Sequence, residues 1–435
     1  DSLETLSRST AVQLFVARAQ LHRPSFSLDD QDASQVAELV ARLEGIPLAL
    51  ELAAARVRSL SVADINARLR DRYKLLTGGG RVLLQRQQTL RALVDWSYDL
   101  LPEQERTALN RLSIFAGSFD LAAAEQICGA DPLASEDMLD LLSLLVDKSL
   151  VMNEERAAGA RYRMLETIRD YGREKLDRTG ESAAVAQRHC EYYFVMAKAA
   201  NRGLQSGQQA EWMRRMETEL DNVRAAIALG LGGGGDPVIA VKIAVAMQGF
   251  WILGGYSTEG RDYIRVLLAL APVQAYDVAL GHALYVGAAL ANSQGDHAEA
   301  RRMLERCLML RRRLGNEVDI AAALSTLSLP LLHSGDANGA REREDEASAI
   351  FHRLGDRRGE AIGYQHLAQI CIYGGDNRQA RDHLEQSLAI AHEIEHLLER
   401  LFPHHVPIVT LLDGHPHTLA FLGPSLACRR GADLH

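Results

Sequence analysis

Side chains able to act on a ligand are few and scattered in this sequence. The run Gly232-Gly233-Gly234-Gly235-Asp236-Pro237 has the glycine content of a phosphate loop, but no Lys-Ser/Thr follows to reach phosphate and magnesium. It reads instead as a flexible link between helices. No GxxxxGKS/T stretch occurs anywhere in the chain, nor a following strand ending in acidic residues. The chain is therefore expected to hydrolyse no ATP and to bind nucleotide weakly at most. Glu44 and Glu51 near Pro47 read as solvated helix faces rather than an acid/base pair. Seven of the 15 histidines fall in residues 391–435, including His404, His405, His415 and His417. Imidazole suits zinc or nickel, but no Cys, Asp or Glu at ligand spacing accompanies them, so no metal site is expected. The cysteines, Cys128, Cys190, Cys307, Cys371 and Cys428, are dispersed without a CxxC, which points to a reducing cytosol. No Ser/His/Asp or Cys/His nucleophile set stands out, and the chain reads as non-enzymatic.

The elements that would position these residues are helical. The 435 residues include about 60 alanines and 11 prolines, with 6% aromatic residues, a composition that favours helices over sheets. The net charge of −9 argues against an electrostatic grip on nucleic acid or an anionic membrane. The first residues form neither a charged n-region nor an apolar h-region, so no signal peptide is read there. Val238–Leu253, the most apolar stretch, carries Lys242 and Gln248 and falls short of a membrane span. A cytoplasmic location is expected, and a start at Asp1 rather than Met suggests a fragment or a processed chain.

A repeat organises the second half. Gly295-Asp296-His297-Ala298-Glu299-Ala300-Arg301 recurs from Gly335 to Arg341 and from Gly375 to Arg381, with a fainter copy from Gly255 to Arg261. The step is 40 residues, and Leu314-Gly315-Asn316 and Leu354-Gly355-Asp356 keep it. Each unit reads as two helices. Gly takes the left-handed turn that ends the first, and Asp caps the second. That second helix is expected to place Ala300, Leu304, Cys307, Leu308 and Leu310 near one face. The pattern is a solenoid of helix pairs that resembles tetratricopeptide repeats (TPR), in a longer version. Its candidate ligand or partner residues are Tyr285, Tyr364, His366 and Gln369.

Upstream, Ala11–Ala19 and Val36–Val57 are strongly helical around Gly45-Ile46-Pro47. Gly45 can end one helix and Pro47 can start the next. From Thr89 the pattern changes. Helices are expected at Leu90–Asp99, from Pro102 to Leu112, near Leu121–Cys128 and over Ser135–Val146 with Ser135 as N-cap. Short strands at Ser149–Asn153 and Ala160–Met164 follow, then a helix over Leu165–Arg178. Helices followed by a hairpin are the outline of a winged helix. Residues 86–180 carry 12 basic and 17 acidic residues. The helix before the hairpin has Glu136, Asp137 and Asp140 and no base, so intramolecular packing is favoured over DNA contact.

These residues carry a family resemblance. Gly45-Ile46-Pro47-Leu48-Ala49-Leu50 resembles the GxP motif of signal-transduction ATPases with numerous domains (STAND), the class that includes NB-ARC proteins. Trp96–Pro102, Leu145–Leu150 and Arg161–Tyr171 are similar to the start and end of the winged helix in those proteins. Bacterial LuxR-type and antibiotic-regulator-type members continue into a helical repeat array, and the likeness covers about residues 1–390. It implies ADP or ATP held between an ATPase domain, a helical domain and the winged helix in the full-length protein, and an inducer on the repeats. By that likeness Gly45 and Pro47 would lie at the nucleotide, with Pro47 against adenine. Leu165 and Glu166 align with the His and Asp of a Met-His-Asp motif, and Leu165 cannot donate to phosphate. The ATPase domain is expected N-terminal to Asp1.

The expected fold is thus mainly α, in five parts. Residues 1–80 form a small helical, GxP-bearing domain and 81–180 a winged helix. Residues 181–236 form a helical connector and 237–394 a TPR-like array. Residues 395–435 form an atypical Pro/His-rich tail: a divergent cap, a disordered end or a frame-shifted terminus. The functional expectation is the regulatory and sensor part of a STAND-type regulator. Its partners would be a protein or small-molecule inducer and the missing ATPase domain, with no DNA or membrane. The alternatives are a stand-alone repeat scaffold, or an ATPase completed by an N-terminal domain.

Overall fold

A computed structural model describes residues 9–28, 30–43, 45–76, 85–156, 159–232 and 234–401. Glu44, the Gly78–Gly80 run, Gly233, Cys428 and the tail beyond Leu401 lie outside them. The chain divides into two compact units between Tyr192 and Tyr193.

The first unit opens with α1 (Thr10–His22), α2 (Asp30–Arg42), α3 (Pro47–Ala54) and α4 (Val62–Leu76). Their apolar stripes fully bury Phe15, Leu39, Leu43, Leu50, Leu52 and Ile65, each worth about 1.5–3 kcal/mol of transfer free energy. Gly45 ends α2 at φ +65°, its N–H donating to the Val40 carbonyl at 3.1 Å. Pro47 opens α3 in its first turn, where a missing N–H costs nothing. Ser61 and Asp64 cap α4 reciprocally. Ser61 Oγ accepts from the Asp64 N–H at 3.1 Å, and Asp64 Oδ2 from the Ser61 N–H at 3.3 Å.

Four more helices follow: α5 (Gln85–Asp99), α6 (Glu103–Leu112), α7 (Leu121–Cys128) and α8 (Met138–Asp147). Then come β1 (Met152–Arg156), β2 (Gly159–Arg163) and α9 (Glu166–Thr179). The strands pair antiparallel with Met152 opposite Arg163. Phe119 adds a third edge by exchanging backbone hydrogen bonds with Tyr162, and its ring stacks on Phe115 at 4.2 Å. Two expectations are corrected here. Ser149 turns to φ +57°, and the N–H groups of Leu150 and Val151 return to the Leu145 carbonyl. Both side chains are thereby buried, and pairing starts only at Met152. Ser135 does not cap a helix. Its Oγ lies 3.2 and 3.0 Å from the Glu125 and Gly129 carbonyls at the end of α7. Ser135–Asp137 is therefore a 3-10 turn, and the helix starts at Met138.

Helix α10 (Ser182–Gly203) contains the division. The second unit continues through α11 (Gln209–Leu231), α12 (Pro237–Ala246), α13 (Gln248–Leu253), α14 (Ser257–Leu268) and the short α15 (Ala271–Gln274). Three full pairs follow: α16 (Asp277–Ser293) with α17 (His297–Leu314), α18 (Glu317–His333) with α19 (Ala337–Leu354), and α20 (Arg357–Tyr373) with α21 (Asn377–Leu401). The fainter copy is also a pair, with its first helix broken at Met247. The corners fold as their spacing predicts. Gly295, Gly335 and Gly375 take φ +78°, +89° and +84°. Asp296, Asp336 and Asp376 accept from the N–H three residues on at 3.2, 2.9 and 3.0 Å. The alanines of the motif, Ala300, Ala340 and Ala380, are buried where helices approach closely.

Each full pair is closed by an ion pair at one repeat position. Asp277 meets Arg313 at 2.5 Å and Glu317 meets Arg353 at 2.7 Å. In the third pair the signs reverse, with Arg357 on Glu393. Helix α17 buries Ala300, Leu304, Cys307, Leu308 and Arg311, at steps of 4, 7, 8 and 11 that follow the 3.6-residue turn. Leu310 is partly buried at the edge of that face and packs against the same core. No described helix is long and apolar enough to cross a membrane.

Candidate ligand-binding site

Local caps position the residues singled out for nucleotide. Gly45 sits at the left-handed end of α2 and Pro47 is exposed on the first turn of α3. Leu165 is the N-cap of α9. Glu166, in the next turn, is largely exposed and 3.8 Å from Arg169. The side chains of Leu165 and Glu166 offer no donor to a phosphate chain, which takes cations or N–H groups. Among the described residues no three His, Cys, Asp or Glu side chains gather as metal ligands.

In the array, Tyr285 and His366 form the joints between successive pairs. Tyr285 Oη accepts from Thr326 Oγ1 at 3.0 Å. Ser325 Oγ and His366 Nδ1, 40 residues further along, meet at the same distance. Behind them Glu344 is completely buried, with one carboxylate oxygen 2.9 Å from Ser328 Oγ and 3.0 Å from His366 Nδ1. Glu344 occupies the repeat position of Leu304 and Leu384, and Ser328 that of Ala288 and Ala368. Sequence reading missed this pair, although comparing equivalent positions reveals it. Tyr364 packs near His383 with ring centroids 5.9 Å apart, and Gln369 is half-buried.

A cavity of about 500 Å³ opens in the second unit. Three successive first helices present the same face to it. Lys242, His282 and Ala322, each 40 residues apart, all line it, as do Ala279 and Asp319. Helix α10 adds Phe194, Lys198 and Asn201, spaced four and three apart on one stripe. Of the four array candidates, Tyr285 alone is among the lining residues. The ammonium groups of Lys198 and Lys242 lie 5.5 and 5.9 Å from the Phe194 ring centre, within cation–π range. Among the lining residues Asp319 is the sole carboxylate. Burial lowers the His282 pKa, with Asp319 opposing and Arg311 adding, so this imidazole is neutral at pH 7.

Arg311 sets the character of the wall. It is 4% exposed and lies over the Tyr285 ring at 4.5 Å. Its Nη1 donates to the Asp319 carbonyl at 2.7 Å. Nη2 stands 4.0 Å from the Asp319 carboxylate, beyond hydrogen-bond reach, and Nε has no partner. Among the described residues two other arginines are buried. Arg56 resembles Arg311, with one hydrogen bond from Nη2 to the Ser97 carbonyl at 3.2 Å and no partner on Nε, but it is not among the residues lining this cavity. Arg111 behaves differently. Its Nε and Nη2 hold both oxygens of Glu181 at 2.9 and 2.8 Å, and Nη1 and Nη2 reach the Cys128 and Asp131 carbonyls. Arg311 occupies the repeat position that Phe351 fills in the next pair.

Residues 101–177 match the winged helix-turn-helix domain family. The winged helix thus spans α6 to α9 and includes the hairpin. A Mycobacterium bovis protein named as an HTH-type transcriptional regulator is 43% identical over 258 residues, 59% of this chain and 29% of that protein. An uncharacterised protein of Mycobacterium tuberculosis is 42% identical over 180 residues, 41% of this chain and 46% of that one. The chain therefore spans less than half the length of either relative. Among solved structures, a STAND protein with a tetratricopeptide repeat sensor from Pyrococcus horikoshii aligns with 89% of this chain and 60% of its own. Its TM-score is 0.34 and its identity 14%. The fold is mainly α, a helical arm and winged helix followed by a TPR-like solenoid.

Proposed function

We propose that this chain is the winged-helix and sensor part of a STAND-type transcriptional regulator, working by recognition rather than catalysis. An inducer on the repeat array would bias a nucleotide-dependent opening driven by an ATPase domain encoded before Asp1. The observation that carries the reading is the lined cavity on the same face of successive repeats, in a chain that also holds a winged helix. The 43% identity to a protein named as an HTH-type regulator supports the regulatory half of it.

The winged helix itself is read as a packing and relay module. Its helix α8 turns Leu139 and Leu144 outward, 46% and 42% exposed, beside Asp140. In the wing, Arg163 is held by Glu154 at 3.0 Å and Arg161 by Ser118 Oγ at 2.9 Å. A DNA-reading face needs Lys or Arg free to meet phosphates and base edges. The nucleotide half of the proposal is tested by calorimetric titration of the 435-residue chain with Mg-ATP and Mg-ADP, together with the upstream reading frame. Negligible heat and an encoded P-loop within about 300 residues are expected, the length of one or two domains. Tight magnesium-dependent binding to the chain, or a start codon just upstream of Asp1, would overturn it.

A further inference from the structure

We propose that the cavity of the second unit binds a small organic carboxylate with an apolar body. The proposal deepens the sensor reading and rests on it for its biological meaning. Charge is the first argument. Lys198, Lys242 and Arg311 line the space against the single carboxylate of Asp319, and His282 adds no charge at neutral pH. The second is the state of Arg311. A guanidinium removed from water is costly unless its N–H groups are engaged, as those of Arg111 are. Arg311 has one side-chain hydrogen bond, at a position where the other copies carry Ala271, Phe351 and Ala391. A planar fork with unspent donors at a cavity wall suits an oxyanion.

The third argument concerns the rest of the lining. Val241, Val245 and Val286 form aliphatic wall, and Phe194 and Tyr285 supply ring faces. Such a wall gives an inorganic anion nothing to bury against and favours an alkyl or aryl body behind the charged head. The volume lies within the range of small-molecule sites, about 300–1,000 Å³. The two lysines are exposed, so they stand where an anion enters, while the arginine lies inside.

The test is isothermal titration of the full 435-residue chain with 4-phenylbutyrate and with decanoate, beside 4-phenylbutyramide and inorganic phosphate. Saturable one-to-one binding of either carboxylate is expected, with the amide and phosphate at least about tenfold weaker, the loss of one charged contact. The double variant Lys198→Gln/Lys242→Gln should weaken the carboxylate about tenfold and leave thermal unfolding unchanged. Arg311→Phe, which places there the residue that the next pair carries at Phe351, should fold as well as the parent and lose carboxylate binding. The proposal fails if the amide binds as tightly as the acid. It also fails if both variants bind 4-phenylbutyrate like the parent, or if neither carboxylate binds at millimolar concentration. Binding without any change in transcription from the full-length regulator would leave the cavity assignment intact and remove the sensor reading. Absence of binding removes the cavity assignment and the small-molecule form of the sensor reading, which rests on that cavity, and leaves the winged-helix half standing.

Discussion

His189 shows how one side chain can set the acid limit of the first unit. It is fully buried, its ring edge against Phe115. Burial, with Arg173 adding, pushes its pKa down to about 3. The unfolded chain takes up that proton near 6.5, so below that pH the unfolded state binds more protons than the native one. The stabilising contribution is complete above pH 6.5 and is lost progressively as pH falls from 6.5 towards 3. At pH 5 the loss is about 2 kcal/mol. Urea unfolding monitored on the first unit should show that drop between pH 7 and 5, and His189→Gln should flatten it; equal slopes would sink the idea. Residue by residue, what the sequence discloses depends on range. The Gly45–Pro47 corner is legible because capping is local. Arg311 escapes notice because a cation on an apolar stripe looks like the edge of the stripe until its turn position is counted. Glu344 escapes because a lone acid in an acid-rich helix draws no attention without the leucines at its equivalent positions.

Among the elements, the first helices of the pairs invite a contrast between two glycines. Gly281 lies inside α16, and a Cβ there would meet nothing within 4 Å. Gly281→Ala should therefore raise stability by about 0.5–1 kcal/mol through helix propensity and unfolded-state entropy. Gly359 lies in the first turn of α20, where a Cβ would stand 2.3 Å from the Phe351 ring. Gly359→Ala should cost about 1–3 kcal/mol by overpacking. Thermal melts of the two variants decide this, and shifts of the same sign would contradict the packing described. Element boundaries follow the same division between local and distant causes. The Gly-Asp corners and Asp caps stand where the spacing puts them. The hairpin begins later than the apolar run suggests, because Leu150 and Val151 are claimed by the end of α8. Ser135 is claimed by the end of α7. Neither competition is visible within a short window of sequence.

At the scale of the molecule, a stack of helix pairs spreads stress only to neighbours. Phe351→Ala empties a 4%-exposed site in the array core and should cost about 3–5 kcal/mol. Hydrogen exchange should then quicken in α18 through α21 while the first unit keeps its protection; loss of protection in α1–α9 would contradict the two-unit division. The 40-residue period makes the array legible from sequence alone. The division at Tyr192 is not legible, because it falls inside the continuous helical pattern of α10. The reversed third rung of the array, Arg357–Glu393 after Asp277–Arg313 and Glu317–Arg353, bears on how the gene can recombine. A crossover that grafted α21 onto α18 would face Glu317 with Glu393, and the reciprocal product would set Arg357 against Arg353. Each rung is worth under about 1 kcal/mol, a small but consistent selection against breakpoints inside a pair. Unequal crossing-over can therefore lengthen or shorten this array more readily with its breakpoints between pairs than within them.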